Sequence, residues 1–214
     1  MYSIDVRDVK SPVGSLREER ASVTRRRILE AARALFAARG YGATTLRVVA
    51  LEAGVAVQTV YAVFGSKANI LRSLRASLVN DPAADEAFEA ALVEPQPSQA
   101  LALFAHSVRL RWVTGHDVVA IHADAAAVDP AIRDEIDRVL AVRRRGIGAL
   151  VVSLGRHGLA SHHSARATAI IDALTLPELY TELVGIHAWS QDTYEAWLAG
   201  ALQWSVGELL DDLS

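Results

Sequence analysis

Residues 44–67, TTLRVVALEAGVAVQTVYAVFGSK, constrain this chain more than any other stretch. Their spacing predicts two short helices joined by a tight turn, with a third helix starting at the end. Thr45 is placed to cap the first helix, its hydroxyl oxygen accepting an otherwise unpaired backbone N–H. Leu46, Val49 and Ala50 fall at i, i+3 and i+4 and make one apolar stripe. Gly54 supplies the positive φ at which that helix stops, and Val55 turns back toward the core. The second helix is expected over 57–64, with Val60 and Phe64 inward. Val57, Gln58, Thr59 and Tyr61 are then left outside or at the edge. Such a short neutral surface of amide, hydroxyl and methyl groups suits the reading of base edges in a major groove.

The charge distribution agrees with a nucleic-acid partner. The net charge of −3 divides into thirteen basic against six acidic residues over 1–80, and nine against nineteen over 81–214. A basic head on an acidic body fits a chain that neutralises phosphates at one end only. Arg25, Arg26 and Arg27 open the first helix, against the preference of its dipole, which hints at phosphate. Lys67 repeats the pattern just after Ser66, a cap for the next helix, and a helix N-terminus plus a lysine makes a phosphate clamp. Arg47 projects from the first helix of the motif toward a phosphate or a guanine.

The run continues as TTLRVVALEAGVAVQTVYAVFGSKANIL, and it resembles the DNA-binding domain of the TetR family of transcriptional regulators. The resemblance rests on the Thr-Thr start, the Ala-Gly-Val turn, Thr-x-Tyr-x-x-Phe, Ser-Lys and the pair Ile70, Leu71. It is close over 24–79 and looser beyond. It implies an all-α fold: an N-terminal three-helix helix-turn-helix domain and a C-terminal helical bundle for ligand binding and dimerisation. It also implies backbone contacts from Tyr61 and phosphate contacts from Thr45 and Lys67. Two departures stand out. Val57 replaces a small hydroxyl residue at the start of the recognition helix, leaving a methyl contact to thymine in place of a donor. Ala62-Val63 replaces a bulky Tyr/His pair, so base preference does not transfer from relatives.

Taken in order, residues 1–22 are read as a flexible arm, since Pro12 and Gly14 break a helix. Arg17, Arg20 and Arg25 are its candidates for a minor groove. The DNA-binding domain is expected over 23–80. Its first helix, 24–39, carries Ile28, Ala31, Ala32, Leu35 and Phe36 on one face and stops at Gly40. The linking helix ends at Asn80-Asp81-Pro82. The ligand-binding and dimerisation domain is expected over 81–214. There a helix beginning at Ser98 is read as broken by Gly115, and Asp129-Pro130 opens another. Arg143, Arg144 and Arg145 are read as a solvated face. His157, His162 and His163 share a loop without a carboxylate or cysteine beside them, so no metal site is assigned. Pro177 splits the helix after 165 near Thr175. Polar or aromatic residues among the apolar body helices, Phe104, Trp112, His122, Asp172 and Tyr180, are the ligand candidates. Tyr194, Trp197, Leu198, Ala201 and Trp204 exceed one buried stripe in the last helix and are read as a two-fold dimer interface.

The chain holds no cysteine, and its longest apolar run is the six residues 100–105. A reducing cytoplasm and no membrane partner are therefore expected. No Gly-rich phosphate loop or nucleophile signature is present, so neither enzyme activity nor a cofactor is expected. The leading reading is a homodimeric repressor bound to a palindromic duplex operator and released by a small apolar or amphipathic effector. The alternative is an effector-independent DNA-binding regulator acting constitutively or through a protein partner.

Overall fold

The computed structural model describes residues 12–79 and 81–211, and these form helices, turns and loops with no strand. The chain divides into two compact units, one up to Ser73 and one from Leu74 onward. The division falls inside a helix, seven residues before the boundary anticipated at residue 80.

In the first unit α1 runs Pro12–Arg39, α2 Leu46–Ala53 and α3 Val57–Phe64, and α4, Lys67–Val79, begins there. The helical start at Pro12 corrects the expected arm. A proline in the first helical position loses no needed N–H and carries a preset φ, so it opens this helix rather than breaking it. Residues 1–11 of the expected arm lie outside the described residues. Ile28, Ala32, Leu35 and Phe36 of α1, Val49 and Ala50 of α2, Val60 and Phe64 of α3, and Ile70 and Leu71 of α4 are all buried. Tyr41 joins this core, its ring 5.3 Å from that of Phe36. Burying a side chain of this size stabilises by about 1.5–3 kcal/mol.

The second unit holds α5 Pro82–Val93, α6 Pro97–Val128, α7 Pro130–Gly155, α8 Ser164–Leu174, the single turn α9 Pro177–Tyr180 and α10 Gln191–Asp211. Asp81 and Asp129 cap α5 and α7 through side-chain bonds to backbone N–H groups. Gly115 does not interrupt α6, which is continuous for 32 residues. Glycine costs about 1 kcal/mol in a helix interior. That is outweighed by the stripe it sits in, where Leu101, Phe104, Val108, Trp112, Val118 and Ile121 are all buried. Pro177 does split the chain, at Thr175-Leu176. Beyond the proline, α9 gives way to a π-helical turn, Thr181–Ile186, a rare backbone form.

Candidate nucleic-acid interface and ligand site

The helix-turn-helix is built by local rules. The Thr45 hydroxyl accepts from the Val48 N–H at 3.3 Å and caps α2. Gly54 ends α2 at φ 64°, and the Val55 N–H then reaches the Ala50 carbonyl at 3.0 Å. This is the six-to-one bond of a Schellman close. A side chain on Gly54 would meet the Arg27 guanidinium at 2.7 Å as well as an unfavourable φ. Val55 is half-buried, as its tuck toward the core requires. The axes of α2 and α3 meet at 109°.

The recognition edge follows from the helix period. Val60 is fully buried and Phe64 nearly so, while Gln58 and Tyr61 are exposed, with Tyr61 at 56 %. Val57 and Thr59 sit half-exposed at the margins, and Thr45 and Arg47 face solvent on α2. Tyr61 therefore does not pack into the head.

Lys67 is placed differently from expectation. Its ammonium donates to the carbonyls of Tyr41 at 2.6 Å and Thr44 at 3.0 Å, with Gly42 at 3.5 Å, and lies 4.1 Å from the centre of the Tyr41 ring. A lysine so placed staples α4 to the turn after α1, because a compact cation satisfies several converging carbonyls at once. Arg25 is likewise engaged within the head, donating to Ser73 Oγ at 2.8 Å and stacking over Phe64. Arg17 and Arg20 stand exposed on α1.

In the body, Phe104, Trp112 and Tyr180 all belong to one packed core. His122 is buried as well. Its Nδ1 lies 2.8 Å from the Val118 carbonyl, which can only accept, so Nδ1 carries the hydrogen and Nε2 has no partner. Burial pushes the His122 pKa below its ordinary value, against a smaller opposing pull from that backbone bond. Asp172 is engaged in an ion pair within the body. Its carboxylate takes Arg143, whose guanidinium also donates to the Asp172 carbonyl at 2.8 Å and Thr175 Oγ1 at 2.7 Å. This corrects the reading of Arg143 as solvated: it secures the end of α8 where Pro177 interrupts the ladder. His162 and His163 lie in a short 3₁₀ turn, and no group of three metal-type side chains gathers among the described residues.

The expected dimer set is divided between two faces of α10. Tyr194 and Leu198 are completely buried inside their own subunit, in line with Leu202, Val206 and Leu209. They cannot also face a partner. Trp197 and Ala201 are half-buried, and Trp204 is 70 % exposed on the opposite side. Helical spacing groups 197 with 204 and 194 with 198, with Ala201 at the boundary between them, and nothing in the sequence tells which group faces the core.

Four ion pairs escaped sequence reasoning because their partners lie far apart in the chain. Arg75 meets Glu135 at 3.1 Å, in a largely buried pair that ties the last turns of α4 to α7. Glu195 of α10 takes Arg109 at 2.6 Å and His106 at 3.0 Å, both from α6. Burial alone would raise the Glu195 pKa, but the bonds from His106 and Arg109 hold it below its ordinary value. Arg111 meets Asp85 at 2.7 Å between α6 and α5.

A capped helix, a glycine turn and a second helix with one buried and one exposed edge define a helix-turn-helix DNA-binding protein. Residues 28–74 match the model described as bacterial regulatory proteins, tetR family, so the head is a domain of that family. No curated protein matches the chain by sequence. Among solved structures it is similar to the MbdR regulator from Azoarcus sp. CIB, with a TM-score of 0.68 at 22 % identity, covering 89 % of this chain and 99 % of that one. It is also similar to FadR from Bacillus subtilis in complex with stearoyl-CoA, with a TM-score of 0.65 at 18 % identity and coverage of 88 % and 99 %. A third neighbour is a transcriptional regulator from Saccharomonospora viridis in complex with choline, with a TM-score of 0.62, 22 % identity and coverage of 85 % and 96 %. At these identities the likeness shows the fold. No single helix among the described residues is long and apolar enough to cross a membrane.

Proposed function

We propose that the chain acts as a homodimeric repressor whose grip on a palindromic operator is loosened by a small apolar or amphipathic effector. The observation that carries the reading is the exposed edge of α3, where Gln58 and Tyr61 stand out from a helix anchored by buried Val60 and Phe64. Gln58 and Thr59 supply hydrogen bonds to base edges and Val57 a methyl contact. Thr45, Arg47 and Tyr61 address the backbone, which positions the head without carrying sequence. Lys67 supports them by holding the turn between α1 and α2 in place.

Two-fold pairing is supported by the outer face of α10. Trp204 is a large apolar side chain with no core to enter, and Trp197 lies on the same side, with Ala201 at its boundary. An isologous contact would bury them. Two heads then engage half-sites separated by about one helical turn of DNA. Effector binding is supported by the neighbours solved with stearoyl-CoA and with choline. Such a ligand works by favouring a conformer that does not bind DNA, and moving most molecules off the operator takes roughly 3–5 kcal/mol of differential affinity.

The test is a footprint of the purified protein on the DNA flanking its own coding region. A protected inverted repeat is expected. Uniform, salt-labile coverage with no protected boundary would remove the operator from the account.

A further inference from the structure

Helix α7 carries a second stripe on the side away from the one it buries. Ile147, Leu150 and Leu154 enter the core. On the other side Arg138, Val142, Arg145, Ala149 and Val152, with Arg156 at the C-terminal cap, recur at steps of four and three, and all six are exposed. That is the spacing of a seam made for another helix. Val142 and Val152 are each more than half exposed. Among the described residues none of the three arginines meets a carboxylate. The helix period thus separates the run 143–145: Arg143 turns inward to Asp172, and Arg145 points out. The stripe is basic, on a body whose charge balance is acidic.

Helix α5 lies beside α7 and offers the opposite sign. A Cβ on Gly146 of α7 would sit 3.6 Å from the Phe88 ring, and the Ser153 hydroxyl donates to the Leu92 carbonyl at 2.6 Å. Both helices cover α6. Helix α5 turns Ala84 and Ala91 into the body and leaves Glu86, Glu89 and Val93 on its solvent side, again at steps of three and four. Val93 is more than half exposed. Asp85 is taken by Arg111, but neither Glu86 nor Glu89 has a partner among the described residues. Two neighbouring helices therefore present unpaired charges of opposite sign, interleaved with exposed valines, on the side away from α6.

We propose that this α5–α7 face is a contact surface for a second copy of the chain, the acidic stripe of each copy lying on the basic stripe of the other. A two-fold axis running between the two helices brings α5 of one copy over α7 of its partner, and the same operation repeats the contact. Charge complementarity selects the occupant. The face carries both signs and so matches itself, whereas an acidic helix or an anionic surface would meet Glu86 and Glu89 as like charges. The valines lose water along the seam. The contact is separate from the outer face of α10, so it joins chains whether or not they pair through Trp204.

Sedimentation of the full chain at about 0.05 M and about 0.5 M salt tests this, because the screening length shrinks from roughly 14 Å to roughly 4 Å. Larger particles are expected at low salt. At high salt the contact is screened, and pairing through α10 is read by itself. Arg145→Glu and Glu89→Lys should each weaken the low-salt association about ten-fold or more, since a two-fold contact feels every change twice. The double variant exchanges the two signs and should restore it. Both positions are exposed, so an unchanged melting temperature checks that the variants fold. Equal particle size at both salt concentrations, association untouched by either single variant, or no recovery in the double variant would each overturn the proposal. Loose attraction between basic heads and acidic bodies makes a different forecast: Arg145→Glu would strengthen it, and that result also overturns the proposal. Phosphatidylserine vesicles and polyglutamate stand for the other occupants. Binding of either one, lost in Arg145→Glu and without self-association, would remove the second copy from the face.

Discussion

Lys67 gives the sharpest test of how the head is held together. Lys67→Met removes the ammonium and retains most of the stem. The parent ammonium makes two short bonds, at 2.6 and 3.0 Å, to the carbonyls of Tyr41 and Thr44, and sits 4.1 Å from the Tyr41 ring centre. Hydrogen bonds from a charged donor contribute about 1.5–3 kcal/mol each, and a cation over an aromatic face about 0.5–1 kcal/mol at a half-exposed site. Immobilising the lysine costs up to about 2 kcal/mol of rotamer entropy. The net loss in the variant is therefore about 1.5–5 kcal/mol. In a unit of this size each kcal/mol moves the midpoint by roughly 4–8 °C, so the head should melt at least about 6 °C lower. Calorimetry reads this directly, and hydrogen exchange of the α2 and α3 amides assigns the loss to the head. A phosphate clamp predicts something else: unchanged stability and a salt slope for DNA binding reduced by about one. Stability within about 0.5 kcal/mol of the parent, the range of an ordinary surface substitution, would refute the staple.

The same geometry predicts three further outcomes. Gly54→Ala should cost about 1–2 kcal/mol in urea unfolding, because alanine is strained at the left-handed φ and its Cβ meets Arg27; parental stability would contradict the turn assignment. Trp204→Lys should convert the proposed dimer to a monomer in sedimentation without lowering the melting temperature of the chain, and an unchanged dimer would remove the outer face of α10 from the proposed interface. His122 is held neutral by burial, its folded pKa lying below the unfolded value of about 6.5. Its contribution is thus fully present above that pH and is lost as pH falls through the folded value. Thermal melts between neutral and mildly acid pH should show this loss, and His122→Gln should flatten it.

The legible part of the sequence was local. Thr45, Gly54, Val60 and Phe64 each obey a rule that spans no more than a turn or two, and the rules agree with one another. The start of α1 was misplaced, because Pro12 breaks a helix in its interior but opens one at its first position. A break in α6 was expected at Gly115, where burial of a long stripe outweighs a small backbone penalty. Both faces of α10 were assigned to the dimer, since periodicity groups Tyr194 with Leu198 and Trp197 with Trp204 without naming the inner pair. The pairing of Asp172 with Arg143 was hidden because the two lie 29 residues apart in the chain.

The central claim is that one outward-facing helical edge chooses the duplex it binds. Selection of bound sequences from a random duplex pool, run with the parent chain and with Gln58→Ala, addresses it most directly. The parent should enrich an inverted repeat, and Gln58→Ala should enrich the same repeat with the base preference relaxed at one symmetric position. Identical enriched sequences for both proteins, or none for the parent at low ionic strength, would contradict it.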